Sequence, residues 1–281
     1  MVVVIEKVLT KDYEGMSLMA IIVTIANQKG GVGKTATTSA LAYGLKERGF
    51  NVLIIDADGQ CNTTDAFQAK IEGQATLYDL MSKKANVKEA IQHTKYIDII
   101  ASDYLLKQAD KYFDNTGREF LIKEAIAPIK SEYDFIIIDT IPGLGVMLSN
   151  ALTAADYVLL PMGADRDSLQ GLSQLNLVLK QVIQYSNSNL IILGFLITRA
   201  KTNASLLNAV KKDILPQIEK QIQAKAYTTV IRENVHVQNA RASFMPIIEY
   251  QKENKGKDVI AIEDYDSFID EFLLDLKLKG V

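Results

Sequence analysis

Short apolar runs recur along the chain, separated by stretches in which apolar residues repeat with helical spacing. The runs are rich in Ile, Val and Leu at consecutive positions, which favours strands buried on both faces. Strands that alternate with helices predict an α/β fold with a mostly parallel central sheet and helices on both of its faces. The runs lie at residues 21–26, 51–55, 135–138, 157–160 and 194–198.

The chain is predicted to form one domain. Its 281 residues are 48% apolar, which allows a sizeable core, and no Pro/Ser/Gly-rich linker, low-complexity tract or repeat divides them. We expect a single domain over residues 21–281 behind a short N-terminal extension, residues 1–20. That extension is either an ordered arm or edge strand, or it precedes an alternative start at Met16 or Met19.

A glycine-rich turn, Asn27–Thr35, connects the first apolar run to a helical pattern. Its glycines let backbone N–H groups turn towards an anion, and the following helix adds its positive N-terminal end. Lys34 can supply a charge for the β- and γ-phosphates, and Thr35 a hydroxyl for Mg²⁺. Gln28 replaces the first glycine of the usual phosphate-binding pattern, and a second lysine, Lys29, stands at the start of the loop. The alternative is a chance glycine-rich turn, which the two lysines, the threonine and these flanks disfavour.

Two of the predicted strands end in aspartates. Asp56 and Asp58 follow the second run, and Asp139 follows the run that starts at Phe135. The carboxyl ends of parallel strands meet at one edge of a sheet, where α/β folds bind ligands. One carboxylate there can orient an attacking water, and others can lie near Mg²⁺. A single aspartate is commonly a turn or N-cap residue, but three that follow a phosphate-binding loop favour the chemical role.

These motifs resemble those of the ParA/MinD family of ATPases, whose deviant Walker A loop carries two lysines. The segment from Asp56 to Thr64 is similar to the family's Asp-x-Asp-Pro-Gln-x-Asn motif, with Gly59 in place of the proline, and Asp139 ends a Walker B-like strand. The resemblance implies a P-loop NTPase fold that binds ATP and Mg²⁺, in which Asp56 is either a structural or a metal-side companion of Asp58. The implied catalytic residues are Lys29, Lys34 and Asp58, the implied metal-binding residues are Thr35, Asp56 and Asp139, and the implied nucleotide-binding residues are Lys29, Gly30, Gly31, Val32, Gly33, Lys34, Thr35 and Ala36.

The branch of the family that partitions plasmids and chromosomes fits better than the cell-division branch. The resemblance covers about residues 21–281. We therefore expect no room for the N-terminal helix-turn-helix domain that some relatives carry. The resemblance also implies that a strand starts at Pro246 and Ile247. It implies a homodimer in which Lys29 reaches the partner's nucleotide, slow ATP hydrolysis, and non-specific binding to double-stranded DNA of the nucleoid in the cytoplasm. A centromere-binding partner, either ParB-like or a small ribbon-helix-helix protein with a basic N-terminal tail, would stimulate hydrolysis.

The net charge of −3 does not by itself indicate a nucleic-acid partner. Between Phe195 and Ile260, however, eleven basic residues outnumber six acidic ones. Solvated helix faces also produce such runs. The family resemblance is the reason to expect that this run binds DNA. The candidate DNA contacts are Arg199, Arg232, Arg241, Lys252, Lys255 and Lys257.

Other functions stay open at this point. A membrane-associated positioning ATPase would need a C-terminal helix with a basic polar face, whereas residues 266–275 carry Asp and Glu, so that we expect core packing and no membrane partner. A metabolite-directed enzyme of the same superfamily would need a substrate pocket, and an inert ATP-binding scaffold would have no use for Asp58.

Cys61 is the only cysteine, which excludes a disulfide within the chain and favours the cytosol. It also disfavours the iron–sulfur reductases that share the two-lysine loop.

Overall fold

A computed structural model of the chain describes residues 19–163, 167–201, 212, 215–254 and 260–279. The strands in this part of the chain are β1 (Ile21–Ile25), β2 (Val52–Ala57), β3 (Ile91–His93), β4 (Asp98–Ile100), β5 (Phe135–Thr140), β6 (Tyr157–Gly163), β7 (Ile191–Ala200) and β8 (Ala226–Arg232). They form one sheet in the order β3-β4-β2-β5-β1-β6-β7-β8. Neighbouring strands are parallel except for β3 and β4, which form an antiparallel pair at one edge. The predicted α/β fold with a mostly parallel sheet is confirmed.

The helices of the described residues cover both faces of the sheet. They are α1 (Lys34–Glu47), α2 (Asn62–Ala66), α3 (Leu77–Met81), α4 (Val87–Ala90), α5 (Ala109–Tyr112), α6 (Leu121–Ile126), α7 (Val146–Ala154), α8 (Asp167–Tyr185), α9 (Leu215–Ile222), α10 (Val235–Ala242), α11 (Ile247–Glu253) and α12 (Ile260–Leu278). Short 3₁₀ turns lie at Tyr104–Gln108, Arg118–Phe120 and Ala127–Ile129.

The central strand β1 lies between β5 and β6. The chain runs from β1 to β2 on one side of it and later to β6 on the other, so that a crevice opens at the carboxyl ends of the central strands. The strand register places Asp139 beside Ile25 on one side and beside Asp56 on the other. Aspartates that are far apart in the sequence are therefore neighbours at one edge of the sheet.

Two hydrophobic cores enclose the sheet, and β2 and β5 are buried at every position. On one face α1 packs together with the C-terminal helix α12, whose Phe268 and Phe272 are fully buried. The carboxylates of Asp266 and Asp270 on the same helix pair with Arg48 at the surface. The predicted core packing of this acidic helix is confirmed.

The strand expected to start at Pro246 and Ile247 is a helix, so this prediction is wrong. Pro246 is the N-cap of α11, with φ −58° and ψ 141°. Proline has no N–H to donate to a sheet, and its fixed φ suits a residue that leads into a helix.

Most of the predicted N-terminal extension, residues 1–18, lies outside the described residues. Just before β1, the backbone N–H of Ala20 donates to the carbonyl oxygen of Lys130. Among the described residues, none of the helices combines the length and the apolar character that crossing a bilayer requires.

Candidate nucleotide-binding site

A cavity of about 380 Å³ opens at the carboxyl edge of the sheet, where the glycine-rich turn meets the segments that follow β2, β7 and β8. Its polar lining includes Lys34 and Thr35 of the turn, and Asp58. Its apolar lining includes Ile247 and Tyr265. The cavity therefore combines an anion-binding loop with apolar walls, as a nucleotide with phosphates and a base requires.

The glycine-rich turn adopts a conformation that needs glycine. Gly31 has φ 74° and Gly33, the N-cap of α1, has φ 85°, a region that other L-residues rarely adopt. The hydroxyl of Thr198, on β7, lies 2.6 Å from the carbonyl oxygen of Val32 and fixes the middle of the turn. The turn thus presents its backbone to the cavity directly before the N-terminus of α1, which attracts anions.

Asn27 and Gln28 anchor the start of the turn away from the cavity. The Nδ2 of Asn27 donates to the carbonyl oxygen of Pro161 (2.7 Å), and its Oδ1 accepts from the backbone N–H of Lys29 (2.9 Å). The Nε2 of Gln28 donates to Oε1 of Gln174 on α8 (2.5 Å). The residue that departs from the usual phosphate-loop pattern therefore tethers the turn to a neighbouring helix.

Lys34 is almost completely buried, at 6% exposure, and its Nζ donates to the carbonyl oxygen of Lys29 (3.2 Å). Burial lowers the pKa of its ammonium group, and the nearby carboxylates of Asp139 and Asp58 oppose that shift. An anion placed in the turn would act in the same direction as these carboxylates and favour the charged lysine.

Asp139 is the centre of a cluster of hydroxyl groups. Its Oδ2 accepts from Thr35 (2.9 Å) and Thr63 (2.6 Å), and its Oδ1 accepts from Thr38 (3.1 Å). Burial raises the pKa of this carboxyl group, and the hydroxyls of Thr63 and Thr35 oppose the shift. Two of the three predicted metal-binding residues, Thr35 and Asp139, are thus in direct contact.

Asp56 is fully buried and holds the segment that follows β2, both its loop and the short helix α2. Its Oδ1 accepts from the backbone N–H of Asp58 (3.0 Å), and its Oδ2 accepts from the backbone N–H (2.8 Å) and hydroxyl (2.7 Å) of Thr64. Burial and the neighbouring Asp139 raise its pKa to about 8. Of the two roles left open by the sequence, these contacts favour the structural one, and metal binding by Asp56 stays a prediction.

Asp58 lines the cavity beside Lys34 and Thr35 and is 4% exposed. Its Oδ1 accepts from the backbone N–H of Gln60 (2.9 Å), an arrangement typical of a tight Asx turn. The predicted catalytic residues Lys34 and Asp58 therefore lie in one cavity. Lys29 is half-buried at the start of the turn, and its role across a dimer stays a prediction.

The three arginines predicted to contact DNA line this same cavity. Arg199 donates to the carbonyl oxygen of Gly31 (2.7 Å) and to Glu233 (3.0 Å). Arg232 makes a bidentate pair with Asp264, and Arg241 donates to Oδ1 of Asn62 (2.7 Å). Their side chains form hydrogen bonds within the walls of the cavity, a role that their charge alone did not indicate. Contact of these arginines with DNA stays a prediction.

The remaining predicted DNA contacts are lysines. Lys252, on α11, pairs with Glu47 (2.5 Å) and Glu249 (3.4 Å). Lys255 and Lys257 lie outside the described residues.

Sequence reasoning missed the hydroxyl residues that organise the site. Thr38 and Thr63 both donate to Asp139, and Thr198 fixes the turn from a strand that lies far away in the sequence. The run Asn62-Thr63-Thr64 directly after the aspartates was the signal available for Thr63. No local pattern marks Thr198, because its contact with Val32 arises only when β7 joins the sheet.

Comparison with known proteins decides the family. Residues 20–192 match the model of a family described as an AAA domain. The chain is 35% identical over 247 residues to the sporulation initiation inhibitor protein Soj of Bacillus subtilis, a match that covers 86% of this chain and 95% of that protein. The chromosome partitioning protein ParA of Myxococcus xanthus is 32% identical over 246 residues, with 86% of each chain covered. The chain belongs to the ParA/Soj family of partition ATPases.

Solved structures share the fold of this ParA-family chain. A protein from Borrelia burgdorferi described as a plasmid partition protein, bound to AMPPNP, has a TM-score of 0.72 at 27% identity and covers 91% of this chain and 99% of its own. Cobyrinic acid a,c-diamide synthase from Mycobacterium smegmatis, with a bound ATP analogue and magnesium, has a TM-score of 0.78 at 25% identity and covers 92% and 96%. The fold thus also occurs in an enzyme that acts on a metabolite.

Arg199→Ala is expected to raise the KM for ATP about fivefold with little change in kcat. The substitution removes the hydrogen bond to Gly31 that steadies the glycine-rich turn, and a hydrogen bond of this kind contributes about 1 kcal/mol. Steady-state ATPase kinetics would measure the effect. Arg118→Ala is a matched control, because Arg118 also donates to a backbone carbonyl, that of Phe113, and does not line the cavity. An unchanged KM in Arg199→Ala would contradict the prediction.

Proposed function

We propose that the chain is a DNA-segregation ATPase that binds ATP with Mg²⁺, forms a dimer in the ATP state and then binds DNA without sequence preference. The observation that carries this proposal is the meeting of Lys34, Thr35 and Asp58 in one cavity of a chain that is 35% identical to Soj. The proposed organisation is a single ATPase domain over residues 21–281.

The residues of the cavity fit a nucleotide and a magnesium ion. Mg²⁺ is held in nucleotide sites by one or two protein oxygens together with phosphate oxygens and water, and it needs no dedicated cage of side chains. Thr35 and Asp139 would hold it, and the described residues contain no cluster of three or more metal-ligating side chains. When bound, Mg²⁺ offsets the negative charge of the phosphates.

Each residue of the site has a proposed part in ATP hydrolysis. The N–H groups of the glycine-rich turn and the N-terminus of α1 bind the phosphates, and Lys34 offsets the charge of the transferring phosphoryl group. Asp58, at the wall of the cavity, orients the attacking water. Lys29 of one subunit completes the site of the other, which links ATP binding to dimer formation.

The family and the charge support DNA as the partner. The relative described as chromosome partitioning protein ParA supports a DNA cargo, and a dimer would double the basic residues available between Phe195 and Ile260. Binding through phosphates alone would depend steeply on salt concentration, since each contact releases a counterion. A centromere-binding protein, ParB-like or of the ribbon-helix-helix type with a basic N-terminal tail, would accelerate hydrolysis and release the dimer from the nucleoid.

The deciding experiment is DNA binding by the purified protein at several salt concentrations, with ATP and Mg²⁺ or with ADP. We expect binding that needs ATP, is indifferent to sequence, weakens steeply with salt, is lost in Lys34→Ala and lasts longer in Asp58→Ala. ATP binding without DNA binding under any nucleotide would overturn the proposal. In that case the structural likeness to cobyrinic acid a,c-diamide synthase would favour a metabolite-directed enzyme, and sedimentation with lipid vesicles would test a membrane-associated positioning ATPase.

A further inference from the structure

Ser102 lies two residues beyond β4, at the same edge of the sheet as the nucleotide cavity, and is fully buried. Its hydroxyl donates to the backbone carbonyl oxygen of Asp58 (2.8 Å). Its backbone N–H donates to the hydroxyl oxygen of Thr64 (2.9 Å). Ser102 therefore contacts the segment that follows β2 at two points: Thr64 in α2, and Asp58 in the loop before it, which we place beside the reacting phosphate.

These contacts close a ring of four residues. The hydroxyl of Thr64 donates to Oδ2 of Asp56 (2.7 Å), and the backbone N–H of Asp58 donates to Oδ1 of the same carboxylate (3.0 Å). The ring thus runs from Asp56 through Thr64 and Ser102 to Asp58 and back to Asp56. All four residues are buried, with exposures of 4% or less, so that water does not compete for these hydrogen bonds.

Within this ring Ser102 supplies the contact that comes from a different part of the sheet, the segment beyond β4. The other hydrogen bonds described for Asp58 are local: the N–H of Cys61 donates to its carbonyl oxygen (2.8 Å), the N–H of Gln60 to its Oδ1 (2.9 Å), and its own N–H to Asp56. Local hydrogen bonds of this kind determine the conformation of the loop. The hydrogen bond from Ser102 fixes the position of the loop relative to the sheet.

The turn that follows Ser102 also supports the loop from outside. A Cβ atom added to Gly59 would lie 2.6 Å from the backbone nitrogen of Lys107, which is closer than a side chain can approach. Leu106, beside it, is 2% exposed and anchors the turn in the core. The loop that carries Asp58 therefore packs against the segment that follows β4, and Ser102 of that segment forms a hydrogen bond with it.

We propose that Ser102 is a positioning residue for ATP hydrolysis, which holds the main chain of Asp58 so that its carboxylate faces the attacking water. The inference rests on the proposed role of Asp58. A small displacement of a reacting or orienting group slows a chemical step strongly, whereas nucleotide binding through the glycine-rich turn does not depend on Ser102. The expected signature is a change in kcat without a change in ATP affinity.

The experiment measures single-turnover ATP hydrolysis and the Kd of a non-hydrolysable ATP analogue for Ser102→Ala, Asp58→Ala and the double variant. Ser102→Ala is expected to slow hydrolysis about tenfold, with the Kd changed by less than about twofold. In the Asp58→Ala background the same substitution is expected to have no further effect, because the group that it positions is gone. Ser186→Ala, which removes a half-buried hydroxyl paired with Thr153 away from the cavity, is the matched control and should change neither quantity.

Two results would overturn the inference. One is an unchanged rate in Ser102→Ala, and the other is an equal loss of rate with and without Asp58, which would indicate a general structural effect. If Ser102→Ala fails to fold, Ser102→Cys decides, since the thiol keeps the shape of the side chain and donates weakly, and an unchanged rate there would count against Ser102. An Asp58→Ala variant with full turnover would instead refute the role of Asp58 in the proposed function, and the inference with it.

Discussion

Replacing Lys34 with alanine is expected to weaken ATP binding about 100-fold and to abolish measurable hydrolysis. Lys34 is buried and lines the cavity with its ammonium group, and a hydrogen bond to a charged group contributes about 1.5–3 kcal/mol. Its positive charge is also partly stabilised by Asp139 and Asp58, so its loss leaves these carboxylates without a balancing cation next to the bound phosphates. Titration calorimetry with a non-hydrolysable ATP analogue, together with a phosphate-release assay, would measure both effects.

The matched control for this experiment is Lys88→Ala. Lys88 is exposed, pairs with Glu132 and does not line the cavity, so its replacement should leave both binding and hydrolysis unchanged. Thermal denaturation of both variants without nucleotide separates a loss of binding from a loss of folding. ATP affinity within about threefold of the wild type in a folded Lys34→Ala protein would contradict the assignment of the cavity to the phosphates.

Replacing Phe268 with alanine is expected to lower the free energy of unfolding by about 3–5 kcal/mol and the Tm by roughly 10 °C. Phe268, on α12, is fully buried. Its ring meets that of Tyr227 edge to face, with centroids 5.1 Å apart, and lies 6.2 Å from that of Phe272. The substitution leaves a cavity between α12 and the sheet that the surrounding core can fill only in part. Urea denaturation followed by circular dichroism would measure the change.

Leu274→Ala provides the comparison for Phe268→Ala on the same helix. Leu274 is 57% exposed, so its truncation should change the free energy of unfolding by no more than about 0.5 kcal/mol. Equal effects of the two substitutions would show that α12 does not pack on the core through the face that carries Phe268. The hydroxyl of Tyr265 on the same helix lies 3.4 Å from the hydroxyl of Thr37 on α1, so α12 also contacts the helix that begins at the glycine-rich turn.

Much of the candidate site was predictable because its elements are local in sequence. The apolar runs define the parallel strands, since a strand buried on both faces must be apolar throughout. The glycine-rich turn is recognisable because phosphate contact demands glycine where the chain has positive φ, as at Gly31 and Gly33. Asp56 and Asp139 lie at the carboxyl ends of β2 and β5, and Asp58 follows β2 directly. The edge of the sheet on which they lie could therefore be predicted from the sequence.

The predictions for basic residues were weaker, because a positive charge does not reveal its partner. Contact of Arg199, Arg232 and Arg241 with DNA stays a prediction. The structure adds partners that the sequence did not indicate, since it pairs these arginines with Gly31, Glu233, Asp264 and Asn62 around the cavity. Each of these partners, Gly31 and Asn62 above all, is brought near by the fold and not by a fixed spacing along the chain. No pattern of local charge could have indicated these contacts.

The sequence by itself therefore determined the fold class, the family and the loop that we propose to bind the phosphates, since each of these rests on motifs within a few residues. The tertiary structure alone decided which partners the polar side chains of the site have. Both carboxylate oxygens of Asp56 accept hydrogen bonds from the segment that follows β2, and three threonine hydroxyls donate to Asp139. Ser102 reaches the main chain of Asp58 across 44 residues of sequence. The physical reason is that a buried polar group must find a partner, and parallel strands joined by long crossovers supply that partner from segments that are distant along the chain.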